Sequence, residues 1–262
     1  MSVENQKIDK LIEESGIITH FKTSRTLRKN GWSVVVSPYY YDSISDSIRE
    51  TDLVVEKQFY SADTLRHSSV QINIQLFIEC KYIKQEIVFW FDTINKNEAV
   101  RNLEKEADLD ILHGDKRSAD IVPENFHHLK YDKVAKLFST NSSKEDVMYK
   151  AMNQCLHSQI NYRKTGKKPI SNKFMNSQSV FSHIIQYPII VCDNFSNLLE
   201  VKFDDENRTS TEKLENDFLL ETNYREDYFL IDIVDINCLE NFLKKIEEEA
   251  KLLVEAYAGK YY

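Results

Sequence analysis

Three acid-x-lysine triplets could do chemistry in this chain: Glu79-Cys80-Lys81, Glu200-Val201-Lys202 and Glu249-Ala250-Lys251. Metal-assisted cleavage of a phosphodiester needs at least two carboxylates to hold a divalent ion beside the phosphate. It also needs a base or cation to orient the attacking water. A strand places residues i and i+2 on one face about 6.6 Å apart, so a triplet on a strand projects its acid and its lysine together. A helix points the same two residues apart, which removes Glu249 and Lys251, because they fall within an amphipathic helical pattern. Glu200 and Lys202 lie on a strand-like run after Asp193 and remain a rival, but that run leads straight into an acidic stretch without polar companions on its face. Glu79 and Lys81 close the clearest alternating segment of the chain, and Asp52, on the preceding strand, can stand opposite them. The carboxylates are hard oxygen ligands suited to Mg²⁺ or Mn²⁺, and the Cys80 backbone carbonyl would add a third oxygen. The plain alternative is a cross-strand salt bridge. Against it stands the cost of an unpaired glutamate at the end of an apolar strand. Glu50 and Glu56 share the face of Asp52 by alternation and read as edge charges.

The elements that must position these residues follow from periodicity. Ile8 to Leu27 reads as a helix bent near Gly16 and ended by Gly31. GWSVVVSPYYY is a β-branched and aromatic run punctuated by Pro38, and a second strand spans Arg49 to Phe59. From Val70 to Lys81 the chain alternates, with Val70, Ile72, Ile74, Leu76, Ile78 and Cys80 facing one way and Gln71, Asn73, Gln75, Glu79 and Lys81 the other. A fourth strand, Glu86 to Asp92, is apolar throughout and reads as central. A helical insertion of about 95–185 follows, in which Ser142 and Glu145 form a capping box for a helix of about Lys144 to Tyr162. Strands return at Tyr187 to Asp193, Leu198 to Phe203 and Tyr228 to Val234, with an acidic loop at Asp204 to Asp217. A closing amphipathic helix, capped by Asn237 with Glu240, carries the stripe Leu239, Phe242, Leu243, Ile246, Ala250, Leu253 and Tyr257. The expected architecture is one mixed α/β domain over 1–262, a mixed sheet flanked by helices.

The chain has 262 residues and a formal net charge of −8, ample for a proper core and too acidic for wholesale coating of nucleic acid. Its five glycines form neither a G-x-G-x-x-G motif nor a phosphate loop, which excludes the nucleotide sites built on them. No apolar run reaches the roughly 18 to 20 residues of a membrane span, and the first residues lack a signal-peptide core, so a cytoplasmic protein is expected. The four cysteines form no C-x-x-C pair and read as reduced, small core residues. His113, His127, His128 and His157 show no established ligand spacing with cysteine and read as satisfied or exposed histidines. Tyr39, Tyr40 and Tyr41 could stack bases, although such a run at a strand end more often packs a core edge. Seven basic residues between Lys144 and Lys173 face two acidic ones, a local balance of 7 − 2 = +5. Arg163, Lys164, Lys167 and Lys168 in that stretch would neutralise backbone phosphates, or form a solvated loop. Lys22, Arg25, Arg28 and Lys29 on the first helix make a second candidate surface.

In order and content these elements resemble the PD-(D/E)xK superfamily of restriction-endonuclease-like nucleases. The likeness covers roughly His20 to Asp92 and is carried by GWSVVVSPYYYD, RETDLVVE, LFIECKY and VFWF. It implies a restriction-endonuclease-like fold and a Mg²⁺-dependent DNA endonuclease, double-stranded DNA being the expected substrate, in restriction or anti-phage defence. Asp52 and Glu79 would then be catalytic metal ligands, and Lys81 would position or activate the water. A homodimer, or a place as a subunit of a defence complex, would fit such a role. Two departures stand out. Thr51 replaces the usual proline, and the metal-completing glutamate of the first helix falls near His20, with Glu13 and Glu14 about two turns earlier. His20 is thus a substituted ligand or the mark of a weakened site. The likeness also suggests a polar supporter such as Gln154 or Gln159 on the following helix, against the plainer reading of both as surface glutamines. The alternative function is a catalytically weakened nucleic-acid-binding or assembly module that retains the fold.

Overall fold

The computed structural model describes residues 3–42, 46–63, 68–106, 126–141, 147–164, 180–204, 207–224 and 227–261. Two helices open the chain, α1 (Val3–Glu14) and α2 (Ile17–Lys29). The bend between them falls at Gly16, whose φ of 73° is left-handed. Twelve strands follow: β1 (Ser33–Val36), β2 (Tyr39–Asp42), β3 (Ser47–Glu50), β4 (Leu53–Asp63), β5 (Ser68–Lys81), β6 (Ile87–Thr93), β7 (Lys133–Thr140), β8 (Val180–Cys192), β9 (Leu198–Asp204), β10 (Asn207–Lys213), β11 (Phe218–Tyr224) and β12 (Asp227–Asp235). Helix α3 (Lys96–Glu106) and a 3₁₀ turn (His127–Lys130) precede β7, α4 (Val147–Lys164) precedes β8, and α5 (Leu239–Tyr261) closes the chain.

Ten strands form one mixed sheet in the order β1-β4-β5-β8-β12-β11-β7-β6-β9-β10, and β2 and β3 pair separately. At its heart β5, β8 and β12 run parallel, and all three end together: Lys81 is in register with Cys192, and Cys192 with Asp235. Parallel strands need both faces covered. One face of β5, Val70 through Cys80, enters a core shared with α5 and with Leu27 of α2. All seven residues of the expected α5 stripe are buried there. The opposite face of the sheet packs on α4 through Met148, Ala151, Met152, Cys155 and Leu156. Among the described residues no helix is long and apolar enough to cross a membrane.

Several expectations are corrected. The region 95–185 is not a helical insertion throughout: β7 lies inside it and enters the main sheet between β11 and β6. The Ser142–Glu145 box lies outside the described residues. The β8 strand begins at Val180 rather than Tyr187, because polar side chains such as Gln186 face a buried polar layer on the sheet. The β6 strand is not central; it stands third from the β10 edge, with Trp90 exposed. Part of the acidic stretch 204–217 is strand β10, antiparallel to β9. Its sequence, NRTSTEK, gives no alternation signal, as suits a polar edge. The entry to α5 is organised by Asp235, whose Oδ1 accepts the Asn237 backbone and side-chain N–H groups at 2.7 and 2.8 Å.

Candidate functional site

The single strand expected from Arg49 to Phe59 breaks at Thr51 and Asp52, and that break makes the site. Ser37, at φ 49°, and Pro38 bend the facing chain at the same level. The two bends are tied by Ser37 N–H donating to the Asp52 carbonyl at 2.9 Å and Thr51 N–H to that of Pro38 at 3.2 Å. His20 of α2 adds a third tie, its Nε2 lying 3.0 Å from the Asp52 carbonyl oxygen. The main sheet thus gives way to the small β2–β3 sheet at Asp52, and its side chain turns toward the end of β5.

There Asp52 Oδ2 accepts the Cys80 amide at 2.7 Å, and Glu79 Oε1 accepts the Asp52 amide at 3.3 Å. Lys81 Nζ lies 2.8 Å from Glu79 Oε2 and 3.7 Å from Asp52 Oδ2. Gln154 of α4 approaches the same ammonium with Oε1 at 3.4 Å. Two carboxylates therefore share one cation. Burial, reinforced by the neighbouring Asp52 charge, pushes the Glu79 carboxyl up to about 8, and Lys81 only partly offsets this. Burial would deprotonate Lys81, but the Glu79 and Asp52 charges outweigh it and hold the ammonium above its ordinary value. Asp52 and Lys81 reach a groove of about 370 Å³ lined also by Gly16, His20, Glu50 and Tyr82, while Glu79 stands fully buried behind them. A β-carbon at Gly16 would sit 3.8 Å from the Cys80 carbonyl oxygen, so that oxygen faces the α1–α2 junction beside the groove.

The remaining candidates scatter. Glu14 ends α1, and its side chain lies outside the described residues. Glu50 lines the groove. Glu56 is no edge charge: it is buried, with Gln75 and Gln58 donating to it at 2.9 and 3.3 Å. Arg25 is exposed on α2, Arg28 Nη1 donates to Ser24 at 2.6 Å, and Lys29 pairs with Glu240 at the surface at 3.0 Å. Arg163 lies over the ring of Phe229, 5.1 Å from its centroid, Lys164 is exposed, and Lys167 and Lys168 lie outside the described residues. The rival pair Glu200 and Lys202 forms a 2.7 Å ion pair on β9 beside the β10 edge, whereas Asp193 binds the Ile83 amide elsewhere. Tyr39 and Tyr41 are exposed and Tyr40 is buried. Gln159 supports the fold rather than Lys81, donating to the Gln186 carbonyl at 3.1 Å.

In a second polar cluster, two of the histidines read from the sequence as satisfied or exposed are buried and hydrogen-bonded, to acids that the sequence reading did not join to them. His127 and His128, in the 3₁₀ turn, meet Asp232 of β12, and Glu249 of α5 completes the group. Burial would neutralise His127, but Asp232 and Glu249 outweigh it and lift the ring to about 10. Burial and the charge of His127 together push His128 down. Burial would raise Asp232 and Glu249, yet the imidazoles outweigh it and hold both carboxyls below their ordinary values. The available signal was Glu249, an acid at an inward position of the α5 stripe; Lys251, two residues on, faces solvent, as the helix geometry requires.

No family profile, curated protein or solved structure matches this chain.

Proposed function

We propose that this chain is a divalent-metal-dependent nuclease of the PD-(D/E)xK kind, hydrolysing phosphodiester bonds in DNA at the groove between α2 and the end of β5. The observation that carries the reading is the meeting of Asp52, Glu79, Lys81 and the Cys80 carbonyl at one strand end, with an open groove before them. The donor set fits a hard divalent cation: it is all oxygen, and an ion that displaces the Glu79 proton would meet two carboxylates with one ammonium between them. Asp52, Glu79 and the Cys80 carbonyl would hold the ion. When bound, it would polarise the scissile phosphate and lower the pKa of an attacking water.

The protein groups have separable tasks. Asp52 is held by the Cys80 amide and by the backbone ties of its bend, so its carboxylate is oriented before any ligand arrives. Burial, with the Asp52 charge beside it, keeps a proton on Glu79 near neutral pH, and an arriving ion would displace it. Lys81 carries a fixed positive charge beside the groove and would orient the nucleophilic water or meet the phosphate oxygens. Gln154 positions that ammonium, and His20 braces Asp52 through its carbonyl rather than by offering Nε2 to a metal. Exposed Arg25 and Lys22 on α2 are suited to backbone phosphates.

The test is incubation of the purified chain with plasmid DNA in Mg²⁺, Mn²⁺ or EDTA, beside Lys81→Ala and Glu79→Gln. Nicking or linearisation that needs metal and is lost in both variants is the expected result. Cleavage unchanged in Lys81→Ala overturns the assignment. DNA binding without cleavage in any metal favours a non-catalytic nucleic-acid-binding module on the same fold.

A further inference from the structure

The cluster of His127, His128 and Asp232 lies away from the groove, under α5. One donor atom from each residue, a ring nitrogen or a carboxylate oxygen, lies within 4.8 Å of the other two. Asp232 Oδ2 is 3.3 Å from His127 Nε2 and 3.0 Å from His128 Nε2. A tetrahedral zinc site with bonds of about 2.0–2.1 Å has donor-to-donor edges of about 3.3–3.4 Å, and the two imidazole-to-carboxylate edges stand close to that spacing.

The surroundings of His127 add an independent argument. A ligating imidazole ordinarily gives its second nitrogen to a carboxylate, which fixes the ring and raises its basicity. Here His127 Nδ1 lies 2.7 Å from Glu249 Oε2, and the same oxygen accepts the His127 amide at 2.8 Å. Glu249 is fixed in turn by the Tyr187 hydroxyl. The ring therefore has its outer nitrogen anchored and its inner one turned to Asp232. His128 lies tilted beside it at 4.1 Å between centroids, also with Nε2 toward Asp232, and its buried Nδ1 has no hydrogen-bond partner among the described residues. All these side chains are enclosed, so an ion held there would be structural, joining the 3₁₀ turn to β12 and, through Glu249, to α5.

We propose that His127 Nε2, His128 Nε2 and an Asp232 oxygen form a structural site for a zinc-class divalent ion, with Glu249 as the outer carboxylate of His127. Two imidazoles exclude Mg²⁺ as the natural occupant and suit zinc or its cobalt surrogate. This site is independent of the groove.

The test is titration of the metal-stripped full chain with Co²⁺, followed by visible absorption, and with Zn²⁺, followed by thermal unfolding. Expected are a single saturable Co²⁺ spectrum of low-symmetry intensity, its displacement by Zn²⁺, and a rise in Tm with Zn²⁺. His128→Gln should weaken binding by more than about a hundredfold and Glu249→Gln by about ten to a hundredfold, while Glu79→Gln leaves it unchanged. A wild-type chain with no saturable Co²⁺ spectrum and no Zn²⁺-dependent Tm overturns the proposal. So does a spectrum lost in Glu79→Gln, which would put the ion in the groove. Should His128→Gln not fold, the wild-type and Glu79→Gln titrations decide alone.

Discussion

Two polar centres of this molecule use nearly the same parts in opposite ways. At the end of β5, two carboxylates share one ammonium, and the more buried acid answers by holding its proton up to about 8. Under α5, two carboxylates enclose two imidazoles, and both acids are held below their ordinary values while His127 is raised to about 10. Burial opposes ionisation in both places, and each centre holds one group charged, Lys81 or His127, because His128 is pushed down. The first centre answers by keeping a proton on Glu79 and is open to a groove; the second keeps both of its acids ionised around His127 and is closed. A displaceable proton with access marks a place where a ligand can enter, while ionised acids without access mark a fastening, of side chains alone or around the proposed ion.

The largest test of this contrast is Asp232→Asn in EDTA. Removing one partner leaves an imidazolium buried against Glu249 alone, with an expected loss of about 3–5 kcal/mol in chemical denaturation. Little or no loss would mean that the cluster does not fasten the fold. The pH limbs should separate the centres further. Carboxyls held low contribute stability above their unfolded values, lost as pH falls, so the Asp232 cluster weakens toward acid. A raised imidazole contributes below its unfolded value, so the His127 contribution fades as pH rises through about 10.

Glu79 carries the reverse sign for an acid. Its folded form binds the extra proton, so wild-type stability should fall as pH rises from about 4.5 toward about 8. Glu79→Gln has no such proton to lose and should gain on the wild type by on the order of 3 kcal/mol across that interval. Parallel curves for the two proteins would remove the displaceable proton on which the comparison rests. Smaller still, His20→Ala should cost about 1 kcal/mol by releasing the Asp52 bend, and should reduce cleavage more than it reduces stability. Least of all, Lys29→Ala breaks only an exposed pair with Glu240 and should change stability by less than about 0.5 kcal/mol.

What the sequence made legible follows the same division. Strand β5 was readable because half of its residues face an apolar core, and the α5 stripe because it is buried along its length. Asp52, Glu79 and Lys81 could be brought together on paper because strand alternation and antiparallel pairing are local rules. The bend at Thr51 was not readable, since it depends on a left-handed Ser37 in the turn between β1 and β2. Strand β10 was missed because an edge needs no apolar face, and β7 because its partners, β6 and β11, are set by long-range order. His127 meets Glu249 across 122 residues, beyond the reach of any spacing rule.

Strands β5, β8 and β12 run side by side and stop at one level. Their bodies belong to the buried interior, where nearly every exchange of side chain disturbs packing. Their final residues, Lys81 among them, stand where the sheet meets connecting segments that packing leaves freer. A change of reactivity or of target can therefore be written into the last residues of a strand and the turn beyond it, while the rest of that strand goes on specifying the same architecture.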